Sequence, residues 1–257
     1  MSRGFGPFSR RVGRETSLSA SAFVARSVKA RPGSPAKVVV VAPKGGVGKT
    51  TLTMALLVSA RRAGLKVLGI NMDGQRSLDK WGIRRQNQRK TSETADIVQI
   101  PVEYVMVHDY RALRGYEQYD LLFIDTPPGH GDAHNSIRAV CEMADLVLIP
   151  TSTSPMDLDQ VVPFAREITS RRSFFVLNRV NRRAKSFQRA KHVLVKHGHL
   201  CPVDIPAFEA IPSQFMLGLA STDFEDAGSE SFEALWDFVR NELGLPADST
   251  GPERVSI

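Results

Sequence analysis

The stretch KVVVVAPKGGVGKTTLTMALL, residues 37–57, restricts the possible folds of this chain more than any other part of it. An unbroken run of valines reads as a strand buried on both faces. Glycines follow, and then Thr50 to Ala63 carries no breaker and reads as a helix, with Gly64 as its stop. Strand, glycine turn and helix are the setting in which Gly48-Lys49-Thr50 forms a phosphate-binding loop. The general pattern G-x-x-x-x-G-K-S/T has Pro43 at its first glycine here. Gly45, Gly46 and Gly48 still let backbone N–H groups converge on phosphate oxygens. The following helix N-terminus adds the positive end of a dipole. The cradle is expected to run from Gly45 through Val47 and Gly48 to Thr51. In it Lys49 serves the β- and γ-phosphates, and the Thr50 hydroxyl is a ligand for Mg²⁺.

Strand and helix signals alternate beyond the loop. KVLGINMD, IPVEYVMV, YDLLFIDTPPG, DLVLIPTS and SFFVLNRV read as further strands. Helical segments are expected over Ser77 to about Arg89, Ala133 to Met143, Asp157 to Ser170, Ala184 to His197 and Ser231 to Leu243. RRQNQRKTSETAD reads as polar and exposed. The alternation predicts an α/β fold: a mostly parallel twisted sheet with helices on both faces. In the last helix Phe232, Leu235, Trp236, Val239 and Leu243 share one face, while the other is net acidic, so it is expected to pack on the sheet rather than on a membrane.

Charge divides the chain. Residues 1–37 hold eight Lys or Arg and one acid, which accounts for the whole formal excess of +7. The reading is a basic arm over 1–36, a nucleotide-binding domain over 37–244 and a flexible tail over 245–257. The arm suits a solvated disordered segment, a grip on nucleic acid phosphates, or an organellar transit peptide. No apolar stretch approaches the roughly 20 residues of a membrane helix, so no membrane partner is expected. Cys141 and Cys201 match no CxxC pattern and read as reduced thiols, which places the protein in the cytoplasm.

One loop needs one lysine for its own nucleotide, yet Lys44 stands at its front. KGGVGKTT resembles the deviant phosphate loop of the ParA/MinD ATPases, a SIMIBI-like branch of the P-loop NTPases. The resemblance, over about residues 37–243, implies an ATP- and Mg²⁺-dependent ATPase that forms a homodimer on binding ATP. Lys44 would then reach across the two-fold interface and stabilise charge on the transferred phosphoryl group. LGINMDGQRSLDKW resembles a segment that usually reads D-x-D-P-Q. Asp73 matches the second acid, expected to position the attacking water, while Asn71 and Gly74 replace the first acid and the proline. Asp125 ends an apolar strand, where it would hold Mg²⁺ through water. Gly129 would sense the γ-phosphate through its N–H. His130 and His134 have a spacing open to a metal, without an evident third ligand. In FFVLNRVN the guanine-reading N-K-x-D string is absent, since Arg179 and Asn181 stand at its Lys and Asp, and the family implies Asn178 as an adenine contact.

Between Ile168 and Val203 there is no acid, but there are nine Lys or Arg. Arg171, Arg172, Arg182, Arg183, Lys185, Arg189 and Lys191 are candidate contacts to DNA phosphates, with weak sequence preference expected. IPTSTSPMDLDQ resembles the P-x-x-P-S-P-x-D segment of small plasmid-type ParA proteins, with Ser152 at the usual proline. That branch implies partition of a plasmid or chromosome, nonspecific DNA binding, nucleoid association in a bacterium and a ParB-like centromere-binding partner. Positioning of a protein cargo and an accessory role in conjugative DNA transfer are the alternatives. Iron–sulfur relatives would need cysteine ligands that the two isolated cysteines do not provide.

Overall fold

The structure is a computed structural model that describes residues 33–88, 97–129, 131–168, 172–225 and 227–246. The arm up to residue 32, the tail from residue 247, Arg89, His130 and Arg171 therefore lie outside the described residues.

The first valines form β1 (Ala36–Val40), every residue of which is buried. α1 (Lys49–Arg62) follows, and Gly64 turns the chain in the left-handed conformation at φ 89°. Then come β2 (Val67–Asn71), α2 (Ser77–Gln88), β3 (Val102–Tyr104) and β4 (Leu121–Asp125). α3 (His134–Met143), β5 (Leu146–Thr151), α4 (Pro155–Glu167), β6 (Ser173–Val180) and α5 (Lys185–Leu194) continue the alternation. β7 (His199–Leu200), β8 (Ile205–Pro206), α6 (Ile211–Met216) and α7 (Ala227–Leu243) complete it.

The strands lie in the order β3-β2-β4-β1-β5-β6-β7, with β8 beside β6, and every described pairing is parallel. Alternation along the strands sorts the core into two layers. Val38 and Val40 pack with α1, α2 and α7 through Leu52, Leu56, Trp81 and Trp236. Val39 and Val41 pack on the other face with α3, α4 and α5 through Ile137, Val161, Phe164 and Phe187. Phe232, Leu235, Trp236, Val239 and Leu243 of α7 are all buried, so its apolar face does cover the sheet.

β1 sits between β4 and β5. The chain leaves β1 toward one face through α1 and leaves β4 toward the other through α3. The crevice at the C-terminal end of β1 is thus the topological switch point, where open α/β sheets bind ligands.

Some expectations need correcting. The third strand pairs over Val102–Tyr104 only, because it is the sheet edge and has β2 alone as a neighbour. α4 and α5 end before the stretches foreseen for them. The polar run after Ile83 is not uniformly exposed. Arg85 has no exposed surface and pairs through two 2.8 Å bonds with Asp223, itself buried in the 3₁₀ turn Ser221–Asp223. A buried partner far along the chain is invisible to a local reading of charge.

Candidate functional site

The loop after β1 enters α1 through Gly48 at φ 94°, a conformation that favours glycine. A side chain there would also collide: a Cβ would lie 2.1 Å from Nδ2 of Asn178. No side chain caps α1 and no acid sits in its first turn, so its N–H groups face the loop. A cavity of about 1020 Å³ opens over it. Gly45, Gly46, Gly48, Lys49, Thr50 and Thr51 line one wall, and Asp73, Asn178 and Arg179 line others. Val47 is buried behind them.

Lys49 folds back across the loop, its Nζ donating to the carbonyl of Lys44 at 3.3 Å. Burial lowers its pKa, and the carboxylates of Asp125 and Asp73 pull it back up. A desolvated ammonium held at a loop of converging N–H groups is suited to phosphate oxygens. The Thr50 hydroxyl donates to Oδ2 of Asp125 at 2.7 Å, while Oδ1 of Asp125 is buried without a partner. Burial pushes the Asp125 carboxyl up to about 7 against the opposing pull of Thr50 and Lys49. An orphaned carboxylate oxygen beside a hydroxyl is a donor set that fits a hard cation such as Mg²⁺. Among the described residues no group of three His, Cys, Asp or Glu side chains forms a metal site, and the ring Nδ1 of His134 lies 3.1 Å from the carbonyl of Gly129 instead.

Lys44 turns the other way. Its Nζ is paired with Asp157 at the start of α4, and Asp157 also accepts from the Ser152 hydroxyl at 2.6 Å. Burial raises the Asp157 pKa, but the bonds from Lys44 and Ser152 outweigh it and hold it below the usual value. In this single chain, then, the second lysine is restrained in cis.

Gly129 is engaged at both ends of its peptide. Its N–H donates to the Ala42 carbonyl at 2.9 Å, and its own carbonyl accepts from His134. Since a carbonyl only accepts, Nδ1 of His134 carries a proton. The Phe164 ring leaves no room for a side chain at residue 129. Asn178 is nearly fully buried: Nδ2 donates to the Val47 carbonyl at 2.7 Å, and Oδ1 accepts from the Arg179 N–H at 3.0 Å. Its present partners make it a strut beneath the loop. Arg179, with φ 56°, reaches the Gly46 carbonyl at 3.1 Å and lines the cavity beside Phe208, Ile211 and Phe215. The apolar wall from α6 escaped the sequence reading, which had no local signal for an element this short.

The basic candidates separate. Arg183, Lys185 and Arg189 are exposed on the segment leading into α5 and on its outer face. Lys191 lies over the Phe187 ring at 5.0 Å. Arg182 is paired with Asp204, the acid that ends the all-basic window. Arg172 is not on this face: it is half-buried and bonds the Glu242 carbonyl near the end of α7.

This geometry agrees with what the chain is similar to. Residues 38–213 match the family described as the CobQ/CobB/MinD/ParA nucleotide binding domain. Protein virC1 of Rhizobium radiobacter is 30% identical over 127 residues, 49% of this chain and 52% of that protein. The chain thus spans about half the length of this curated relative. A cytosolic Fe-S cluster assembly factor NUBP2 homolog of Monosiga brevicollis is 25% identical over 84% of this chain and 92% of its own. A plasmid partition protein from Borrelia burgdorferi shares the fold at a TM-score of 0.59 and 16% identity, covering 81% of this chain and 99% of that one. The septum site-determining protein MinD of Pyrococcus horikoshii, complexed with Mg-ADP, does so at 0.59 and 19%, covering 80% and 96%. With the family model covering more than half of the sequence, and with the loop, Thr50 and Asp125 gathered at the sheet's switch point, the chain belongs to the CobQ/CobB/MinD/ParA family of nucleotide-binding domains.

Proposed function

We propose that the protein is a ParA-like ATPase for DNA partition: ATP drives dimerisation, the dimer holds nonspecific DNA, and a ParB-like centromere-binding partner stimulates slow hydrolysis. The observation that carries this reading is the opposite aim of two lysines in one loop. Lys49 lies over its own cradle. Lys44 points out of it, its partly exposed side chain held by the buried carboxylate of Asp157. Freed from Asp157, it is the cation of the loop in a position to serve a nucleotide held by a second protomer. Asp73 lines the cavity and is the group assigned to orient the attacking water. Mg²⁺ at Thr50 and Asp125 would supply positive charge to the phosphate oxygens. Gly129 would give up its bond to Ala42 to meet the γ-phosphate.

The exposed cations Arg183, Lys185 and Arg189 support DNA as the cargo, because the segment that carries them leaves the same sheet edge as the nucleotide loop. The iron–sulfur alternative is disfavoured by packing. Cys141 lies in one core layer and Cys201 in the other, and burial pushes each thiol up to about 12. Neither presents a thiolate.

A gel-shift series with random duplex DNA tests this reading. Binding is expected with ATP and not with ADP or without nucleotide, with a log–log salt slope of about −4 to −5 if about five cations meet phosphates. Arg183→Glu/Arg189→Glu should abolish it. Binding that ignores nucleotide would reject the switch and point to the basic arm instead, which deleting residues 1–32 would check.

A further inference from the structure

Asn71 ends β2 with no exposed surface, at the position where the D-x-D-P-Q pattern has its first acid. Its amide works in two directions. Oδ1 accepts the Asp73 N–H at 3.1 Å, and Nδ2 donates to Oδ1 of Asp79 at 3.1 Å. The orientation is forced: a backbone N–H only donates and a carboxylate only accepts. The other oxygen of Asp79 accepts from Nε of Arg76 at 2.6 Å, and that guanidinium lies 4.6 Å from the centre of the Tyr104 ring. Arg76 itself is held at φ 56°, a conformation that a side chain disfavours unless its surroundings impose it. Asp73 sits inside this frame, its Oδ1 accepting from the Gln75 N–H at 2.9 Å and its carbonyl from the Arg76 N–H at 2.9 Å.

An aspartate at residue 71 would still accept from the Asp73 N–H. It has no proton for Asp79, and two carboxylates would meet where an amide and a carboxylate now bond. The departure from the acidic pattern is therefore matched by Asp79 in the first turn of α2. We propose that Asn71 and Asp79 form a matched pair that positions Asp73 at the nucleotide cavity, so that the asparagine is a positioning residue for hydrolysis and not a vestige of a lost acid. This rests on the reading of Asp73 as the group that orients the attacking water.

The test is steady-state phosphate release by the full chain with ATP and Mg²⁺, alongside nucleotide affinity and a thermal melt for each variant. Asn71→Asp is expected to lower kcat by roughly tenfold to a hundredfold with affinity unchanged, since a small misplacement costs rate rather than binding. The exchange Asn71→Asp/Asp79→Asn restores the bond with its direction reversed and should recover most of the lost rate. Asp79→Leu removes the acceptor from α2 and should mimic Asn71→Asp, which keeps the test available if the latter does not fold. Turnover of Asn71→Asp equal to or above the parent, or an exchange variant no better than Asn71→Asp, overturns the proposal. Asp73→Ala separates the two ideas. If it leaves turnover unchanged, the reading of Asp73 fails and the pair has nothing to position; if it abolishes turnover while Asn71→Asp is indifferent, the pair alone is refuted.

Discussion

Lys44 and Lys49 are five positions apart and have opposite surroundings. Lys49 is 6% exposed and desolvated, whereas the Lys44 side chain is 36% exposed and paired with Asp157. Lys44→Ala should therefore keep nucleotide binding and lose partner-stimulated hydrolysis by on the order of 10³-fold, the scale of a removed arginine finger. Unchanged stimulated turnover would end the trans assignment. Asp125 offers a pH test in nucleotide-free, Mg²⁺-free buffer. Its folded pKa is raised by burial to about 7 from 3.8, so the folded state holds a proton that the unfolded state releases. Its contribution to stability is thus full below the unfolded value and falls as pH rises toward about 7. Asp125→Asn, which cannot ionise, should match the parent near the acidic end and exceed it at neutral pH in urea unfolding. A parallel pair of curves would refute the shift. At Gly129 a Cβ would stand 2.2 Å from the Phe164 ring, so Gly129→Ala should cost about 1–3 kcal/mol as overpacking, with part recovered by adding Phe164→Leu.

Among elements, the informative joint is between α2 and the 3₁₀ turn Ser221–Asp223. Asp223 accepts both bonds from Arg85 and lies 3.7 Å from the Arg62 guanidinium of α1, so one carboxylate joins three segments beneath the surface. The Trp81 indole adds a 3.0 Å bond to the Leu219 carbonyl. The chain between α6 and this turn is held by these bonds, and α6 forms the apolar wall of the nucleotide cavity. Asp223→Ala leaves a guanidinium buried without its carboxylate and should lower stability by about 3–5 kcal/mol, read as a shifted urea midpoint with unchanged slope. A loss under about 1 kcal/mol would mean that Arg85 finds water on its own. The strands and most helices were legible from apolar runs, breakers and periodicity: every strand named from the sequence forms, and α7 buries the apolar face foreseen for it. β7, β8 and α6 were not, because elements of two to six residues are formed by their neighbours rather than by their own pattern.

For the whole molecule, the parallel sheet brings the ends of β1, β2, β4, β5 and β6 to one edge, and the nucleotide loop, Asp73, Asp125, Ser152 and Asn178 follow or end those strands. If that edge closes on a second copy, Asp73→Ala should trap the closed state. A sedimentation coefficient typical of a dimer should then persist with ATP, while the parent relaxes as ATP is consumed; a monomeric value throughout would reject the dimer. The sequence by itself determined the fold class, the phosphate loop and the identity of its polar groups, because glycine spacing and the alternation of strand and helix are local and periodic. Only the tertiary structure decided what those groups touch: Lys44 on Asp157, Asn178 under Val47, Asn71 between Asp73 and Asp79, Arg85 on Asp223. Hydrogen bonds and ion pairs are short-ranged, and their partners here come from segments up to 138 residues apart, which meet only once the sheet has ordered the strands.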